Sequence, residues 1–231
     1  MLDTAVSRAL LERVAAGELP DTLRLARPGR MVPFGKQDAV ARGYVDAVRA
    51  AREQGYEAVL RMAGGRAAVF HEDTLELAHA SSEADAMGTI HPRFRDTAEL
   101  LAAAVRRLGV DGGVGEVPGE YCPGGYSVNA GRRTKLGGVG QRLIRGGAHV
   151  GAVLVASGEE RIREVLVPVY SALGLEWDPS TAGSAGSSFE HLLAAVRAEY
   201  EERYALEEAA LDDETLALAR RLAPEHRPAS V

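Results

Sequence analysis

The sequence predicts an α+β fold, in which helices flank a mixed, mostly antiparallel sheet and a short helical tail follows at the C-terminal end. Three observations support this prediction. Apolar residues switch repeatedly between helical and strand spacing, glycine and proline separate the segments, and the pattern from residue 186 onward is helical and acidic. With 231 residues, 46% of them hydrophobic, the chain is long enough to bury a sizeable core.

Short helices and strands alternate along the N-terminal part of the chain. An apolar stripe of Ala5, Leu10, Leu11 and Val14 predicts a first helix, which Gly17 ends. In chain order, the pattern then predicts a strand at 23–25, a helix over 39–54, a strand at 58–60, and two short strands, 67–70 and 75–78, that pair as an antiparallel hairpin.

Two loops rich in glycine, one over 109–131 and one over 174–188, divide the rest of the chain. Pro168 is expected to bend or break the helix that contains it. The remaining predicted elements are a helix over 93–108, strands over 135–144 and 149–156, and helices over 159–173, 189–204 and 212–222. We therefore predict a main domain, residues 1–185, and a helical C-terminal appendage, residues 186–231.

Charge and cysteine usage exclude several classes of protein. A net charge of −6 argues against a nucleic-acid-binding protein, whose surface would be basic. Cys122 is the only cysteine, so the chain cannot form an internal disulfide, and a reducing cytoplasmic location is expected. No apolar run approaches the roughly 20 residues of a membrane span. The N-terminus has the pattern of an amphipathic helix rather than a cleaved signal.

Lys135 stands at the head of a glycine-rich strand segment, KLGGVGQRLIRGGAHVGAVLV, that carries no acidic residue. Gly137, Gly138 and Gly140 allow a ligand to approach the backbone closely. The segment therefore suits an anion such as a phosphate or a carboxylate, with Lys135 as the point charge. A β-hairpin with glycine turns and solvated basic residues is the alternative interpretation.

A second segment, RMAGGRAAVFH from Arg61 to His71, leaves one predicted strand and enters another. Its turn, Gly64 and Gly65, and its two arginines, Arg61 and Arg66, place backbone amides and positive charge together at a strand end. This arrangement also suits an anion. The alternative is a plain hairpin turn flanked by exposed polar residues.

Taken together and in this order, the two segments resemble the Arg- and Gly-rich segment and the lysine strand of lipoate-protein ligases. The loop GEVPGEYCPGGYSVNAGRR lies where that family has its substrate loop, and TLRLARPGRMVPFGKQD resembles the family's opening strand and corner. The resemblance covers roughly residues 20 to 185. It implies the α+β fold shared by lipoate-protein ligases, biotin ligases and octanoyltransferases, closest to the lipoate-protein ligase A type.

The resemblance implies a lipoate-protein ligase that joins lipoate to ATP, with Mg²⁺, and passes the acyl group to a lysine of a lipoyl domain. The acceptor would be a 2-oxoacid dehydrogenase subunit or the glycine cleavage carrier protein. Lys135 would contact the carboxylate and the α-phosphate, and Gly137 and Gly138 would let the lipoyl chain pass the backbone. The residues expected to frame the adenylate and the acyl tunnel are Arg61, Gly64, Gly65, Arg66, Ala67, Ala68, Val69, Phe70 and His71.

The chain also departs from the family pattern. Tyr126 and Ser127 stand where ligases tend to have Asn-Asp, so Ser127 is kept as a binding candidate while the metal ligands remain unassigned. Val150 precedes Gly151 where a histidine is expected, and His149 falls one position earlier, on the opposite face of a strand. Larger ligases carry a fuller accessory domain, which leads us to expect a separate accessory subunit for adenylation.

Cys122 supports a rival interpretation. Octanoyltransferases of this superfamily hold the acyl group as a cysteine thioester without ATP, and one type carries its cysteine in the loop ahead of the lysine, where Cys122 lies. A thiolate is both a good nucleophile and a competent leaving group. An ordinary loop thiol is the alternative for Cys122, and a non-catalytic acyl-binding relative is the third hypothesis for the whole chain.

Overall fold

The structure, a computed structural model, describes residues 1–228. Its helices are α1 (Leu2–Ala15), α2 (Lys36–Ala39), α3 (Tyr44–Glu53), α4 (Ile90–Arg107), α5 (Glu159–Leu173), α6 (Phe189–Glu201) and α7 (Asp213–Leu222), with short 3₁₀ turns at Pro179–Thr181 and Ala223–His226. Its strands are β1 (Thr22–Ala26), β2 (Met31–Phe34), β3 (Glu57–Leu60), β4 (Thr74–Ser82), β5 (Gly112–Val114), β6 (Val128–Ala130), β7 (Thr134–Ile144) and β8 (Gly147–Val155).

Six strands form one fully antiparallel sheet in the order β1-β4-β8-β7-β6-β5, and β2 and β3 form a separate parallel pair. This mixed, mostly antiparallel arrangement with flanking helices confirms the predicted α+β fold. No helix in the described part of the chain is both long and apolar enough to cross a membrane.

The two faces of the sheet have different roles. Because side chains alternate along a strand, Leu75 and Leu77 of β4 pack with α4 and α6 in one hydrophobic cluster. Glu76 and Ala80 point to the other face, where Glu76 contacts Ser7 of α1 and Ala80 packs against Leu11. A further cluster lies between α3, α5 and the β2-β3 pair. The face toward α1 borders the candidate site, which also reaches residues of the α4 cluster such as Leu77.

The predicted hairpin between residues 67–70 and 75–78 is wrong. Phe70 instead exchanges backbone hydrogen bonds with Met31, while residues 75–78 lie within β4. Both edges of β4 are already occupied, by β1 and β8, so no edge is left for residues 67–70.

Three other elements differ from the prediction. The helix predicted over 39–54 begins only at Tyr44, as α3, and Gly43 just before it packs so closely on α5 that a Cβ atom there would lie 1.7 Å from the carbonyl oxygen of Ala172. The loop over 109–131 contains the short strands β5 and β6. Helix α5 continues through Pro168 rather than breaking there.

The C-terminal helices pack against the rest of the chain. Helix α6 contributes Leu192 and Val196 to the cluster beneath the sheet. Helix α7 packs on α1, where the Arg13 guanidinium donates to Asp212 at 2.6 Å and to Thr215 at 2.7 Å. The division into a main domain and an appendage at residue 185 stays a prediction.

A candidate active site around Cys122 and Lys135

A cavity of about 440 Å³ lies between the sheet, α1 and two loops. One loop follows β3 and the other precedes β6. The walls are largely apolar, and the side chains that form them include Leu77, Ile90, Phe94, Val139, Ala152 and Val153. Cys122 and Lys135 both line this cavity, so the structure brings together the two residues on which the rival interpretations rest.

Lys135 enters the cavity because β7 contains a bulge. The register of β7 against β6 shifts between Val128 and Asn129, so Leu136 of β7 has no partner residue on β6. Positions three apart on a regular strand face opposite sides, yet Lys135 and Gly138 both line the cavity. Gly137 faces the other side, where a Cβ atom would lie 2.2 Å from the carbonyl oxygen of Val153.

Lys135 is only 2% exposed, and its ammonium group has three protein acceptors. It donates to Glu120 at 3.1 Å, to the carbonyl oxygen of Tyr121 at 3.0 Å and to that of Cys122 at 2.7 Å. An ammonium group has three N–H donors, so these contacts use all of them. In this structure Lys135 holds the loop that carries Cys122.

Glu120 is the buried counterion of Lys135. Its carboxylate also accepts hydrogen bonds from Ser127 Oγ at 2.5 Å and from the backbone N–H groups of Gly124 and Val117 at 3.0 and 3.1 Å. A buried ion pair is tolerated when its remaining hydrogen-bonding groups are satisfied in this way. Glu120 therefore ties the two halves of the loop together beneath Cys122.

The sulfur of Cys122 faces two donors. The backbone N–H of Arg66 lies 3.2 Å from Sγ, and the Arg61 guanidinium lies 3.9 Å from it. An amide donor and a guanidinium next to the sulfur atom supply hydrogen bonds where a reaction at sulfur places negative charge. The thiol is also partly accessible, so the arrangement suits a nucleophile.

The loop from Arg61 to Arg66 is shaped by close approach to Cys122. Gly65 has φ +108°, and a Cβ atom there would lie 3.0 Å from Sγ of Cys122 and 2.9 Å from the Arg61 guanidinium. Only glycine meets both requirements without strain. The Arg66 side chain points away from the sulfur and forms an ion pair with the buried Asp38 at 3.2 Å.

The structure brings most of the predicted site residues to the cavity. Those that line it are Arg61, Gly64, Gly65, Ala68, Phe70, Cys122, Ser127, Lys135 and Gly138. Residues 67–70 are extended along β2, so alternate side chains face opposite ways. Ala68 and Phe70 line the cavity, whereas Ala67 and Val69 pack in the core cluster around α5.

His71 is a predicted site residue that lies outside the cavity. It is fully buried, and its Nδ1 accepts a hydrogen bond from the N–H of Asp73. Burial, with Arg161 nearby, lowers the pKa of His71. Gly137 and the Arg66 side chain are likewise not among the groups that line the cavity.

His149 is a cavity residue that the sequence patterns did not select. It is 4% exposed, it shares the cavity-facing side of β8 with Gly151 and Val153, and its Nδ1 has no hydrogen-bond partner among residues 1–228. Burial, reinforced by His79 and Arg61, lowers the pKa of His149 to about 3, so the imidazole is neutral at pH 7. The alternation of His149, Gly151 and Val153 was the signal available in the sequence.

Glu76 is a second cavity residue that the sequence patterns did not reveal. Burial raises the pKa of its carboxyl group, against the opposing effect of Arg24, to which it is bonded at 3.0 Å. Across residues 1–228, no three His, Cys, Asp or Glu side chains are arranged to hold a metal ion.

Comparisons with known proteins agree on one family. The family model described as the lipoyl protein ligase A/B catalytic domain matches residues 2–172. Two similar relatives are named octanoyl-[GcvH]:protein N-octanoyltransferase. The one from Geobacillus kaustophilus is 29% identical over 170 residues, 74% of this chain and 60% of the relative. The one from Bacillus velezensis is 31% identical over 159 residues, 68% of this chain and 55% of the relative.

Among solved structures, a crystal structure of lipoate-protein ligase A bound with ATP has a similar fold. Its TM-score is 0.77 at 18% identity, over 97% of this chain and 89% of that one. In sequence, the chain spans 55% to 60% of the length of the two relatives from Geobacillus and Bacillus.

Proposed function

The chain belongs to the lipoyl protein ligase A/B catalytic domain family, and on this premise we propose that it is an acyltransferase that carries an octanoyl or lipoyl group on Cys122. The donor would be an acylated carrier protein such as the glycine cleavage carrier protein. The acceptor would be a lysine on the lipoyl domain of a 2-oxoacid dehydrogenase. The names of the relatives, which specify octanoyl-[GcvH] and transfer to a protein nitrogen, support this choice.

The observation that carries the proposal is the position of the Cys122 sulfur. The sulfur lies in the cavity next to the N–H of Arg66 and the guanidinium of Arg61. The backbone carbonyl oxygen of Cys122 accepts a hydrogen bond from Lys135. In the first step the thiolate attacks the carbonyl carbon of the acyl donor. A C–S bond forms, the bond between the acyl group and the donor nitrogen breaks, and that nitrogen takes up one proton from solvent and leaves as the free amine.

The second step reverses the roles. The uncharged amine of the acceptor lysine attacks the thioester carbonyl, a C–N bond forms, the C–S bond breaks to regenerate the thiolate, and the nitrogen releases one proton to solvent. In both steps negative charge develops on the carbonyl oxygen. The Arg66 N–H and the Arg61 guanidinium lie 3.2 and 3.9 Å from the sulfur that would bond to this carbonyl carbon, and fixed donors of this kind stabilise such an intermediate in a site that excludes water.

The apolar walls of the cavity suit a medium acyl chain. Val139 and Val153 come from the sheet, while Phe94 stacks on Tyr126 at a ring distance of 4.9 Å. Ligand pockets of this kind are mostly apolar with a few polar groups at the reacting end. A thiol nucleophile also needs to stay reduced, which supports the cytoplasmic location expected for the chain.

ATP-dependent ligation is the second candidate function. It is favoured by Arg61 and the backbone of Gly64 and Gly65, which line the same cavity and suit a phosphate. Against a magnesium nucleotide, the described carboxylates near the cavity are already engaged. Glu120 is bonded to Lys135, Asp38 to Arg66 and Glu76 to Arg24. We therefore place ATP, Mg²⁺ and the accessory subunit with this second candidate.

An acyl-transfer assay separates the candidates. The protein is incubated with an acceptor lipoyl domain and either octanoyl-carrier protein alone or lipoate with ATP and Mg²⁺, and the mass of the acceptor is measured. Transfer from the carrier protein without ATP, abolished by Cys122→Ser, is the expected result. Transfer only with ATP would establish the ligase instead. Acyl binding without transfer in either reaction would identify a non-catalytic relative.

A further inference from the structure

Cys122 has a backbone conformation that is unusual for its residue type. Its φ is +44°, and within residues 1–228 Arg132 is the only other non-glycine residue with positive φ. A non-glycine residue in this region is strained and persists only when its surroundings hold it there. Two side chains do so here. Lys135 donates to the carbonyl oxygen of Cys122, and the hydroxyl of Tyr170 accepts from its N–H at 2.8 Å.

The Tyr170 hydroxyl joins the two loops that meet at the sulfur. Besides accepting from Cys122, it donates to the carbonyl oxygen of Ala67 at 2.9 Å. Ala67 directly follows Arg66, whose N–H contacts Sγ. Burial raises the pKa of Tyr170 well above its ordinary value, so the hydroxyl keeps the proton that it donates.

The ring of Tyr170 is fixed independently of its hydroxyl. It is 2% exposed in the core cluster around α5, and it packs against Trp177 at a ring distance of 5.7 Å. Tyr170 is not among the residues that line the cavity. It is therefore placed to act on the site through Cys122 and Ala67, without touching a bound acyl group.

We propose that Tyr170 is a positioning residue for Cys122, which holds the cysteine in its left-handed conformation and keeps the sulfur next to the N–H of Arg66. The proposal rests on the proposed role of Cys122 as the acyl carrier. It assigns a function to a residue of α5 that is distant in sequence from both loops.

Tyr170→Phe tests the proposal, with Tyr44→Phe as the matched control. Tyr44 lies in the same core cluster, and its buried hydroxyl has no hydrogen-bond partner among the described residues. The readout is the rate at which iodoacetamide alkylates Cys122, followed by intact mass, because the chain has no other cysteine. We expect the rate for Tyr170→Phe to fall about tenfold, as for the loss of one or two hydrogen bonds, and that for Tyr44→Phe to match the wild type.

In the transfer assay, Tyr170→Phe should lower kcat and leave KM for the acyl donor unchanged, because Tyr170 does not line the pocket. Equal alkylation rates for the two variants and the wild type would overturn the proposal. Slowed alkylation with no transfer by any form would support the positioning role and refute the proposed function. If Tyr170→Phe does not fold, hydrogen exchange of the wild type decides: slow exchange of the Cys122 N–H, which donates to Tyr170, supports the proposal, and exchange as fast as in an unstructured loop overturns it.

Discussion

The ammonium nitrogen of Lys135 lies 2.7 Å from the carbonyl oxygen of Cys122. The lysine therefore acts on the thiol through the backbone, while its charge is balanced by Glu120 beneath the loop. This relationship gives one buried lysine a role in a site whose proposed reacting atom is the Cys122 sulfur. It also makes the loop geometry depend on a buried ion pair.

The first prediction concerns that ion pair. Lys135→Met leaves the Glu120 carboxylate buried without its counterion, which should cost about 3 kcal/mol in the free energy of unfolding. Acyl transfer should be lost because Lys135 no longer holds the loop that carries Cys122. Urea unfolding measures the first effect and the acceptor mass measures the second.

The double variant Lys135→Met/Glu120→Gln is the control for the same ion pair. The glutamine side chain that replaces the carboxylate carries no charge, so the unfolding free energy should recover in part while transfer stays absent. Full activity in Lys135→Met would contradict the account.

The second prediction compares two neighbouring glycines. Gly65→Ala places a methyl group 3.0 Å from the Cys122 sulfur at a positive φ, whereas Gly64→Ala meets nothing within 4 Å. Alkylation of Cys122 should fall strongly in Gly65→Ala and stay close to wild type in Gly64→Ala. Similar losses in both variants would show that the loop does not meet the sulfur as described.

The third prediction concerns the bulge in β7. A methyl group at Gly137 would lie 2.2 Å from the Val153 carbonyl oxygen, while one at Gly138 would lie 3.5 Å from the Lys135 side chain, an ordinary contact. Gly137→Ala should lower the unfolding free energy by about 1–3 kcal/mol. Gly138→Ala should preserve it and raise KM for the acyl donor, because this residue lines the cavity. Unfolding curves and donor titrations measure these two effects.

The fourth prediction concerns pH. Burial lowers the pKa of His149 to about 3, below its unfolded value of about 6.5. The imidazole then binds a proton in the unfolded state but not in the folded state. The free energy of unfolding is therefore retained above pH 6.5 and is lost as the pH falls toward 3. When the pH is lowered from 7 to 5, the unfolding free energy of both proteins should fall. The fall in His149→Asn should be about 2 kcal/mol smaller than in the wild type.

An exposed histidine provides the control for this measurement. His191→Asn removes an imidazole from the surface of α6, and its stability should follow the wild-type pH profile. Parallel profiles for His149→Asn and the wild type would contradict the assignment of His149 as a buried neutral group.

Local patterns in the sequence predicted the lysine strand, the glycine turn after β3 and the thiol in the loop, because each depends on residues close together in the chain. Strand pairing is decided by distant partners, and the failed 67–70 hairpin shows this, since β1 and β8 already occupy β4. Tyr170 lies 48 positions from Cys122. Its contact with the cysteine depends on how α5 packs, and local sequence patterns do not predict that packing.

The intact mass of the protein shows whether Cys122 carries the acyl group. After incubation with octanoyl-carrier protein, without ATP and without acceptor, the wild type should gain the mass of one octanoyl group, removable by hydroxylamine as expected for a thioester. Cys122→Ser should gain no hydroxylamine-sensitive mass. A wild-type protein that stays unmodified while it transfers the acyl group, or a Cys122→Ser variant that transfers at the wild-type rate, would contradict the claim.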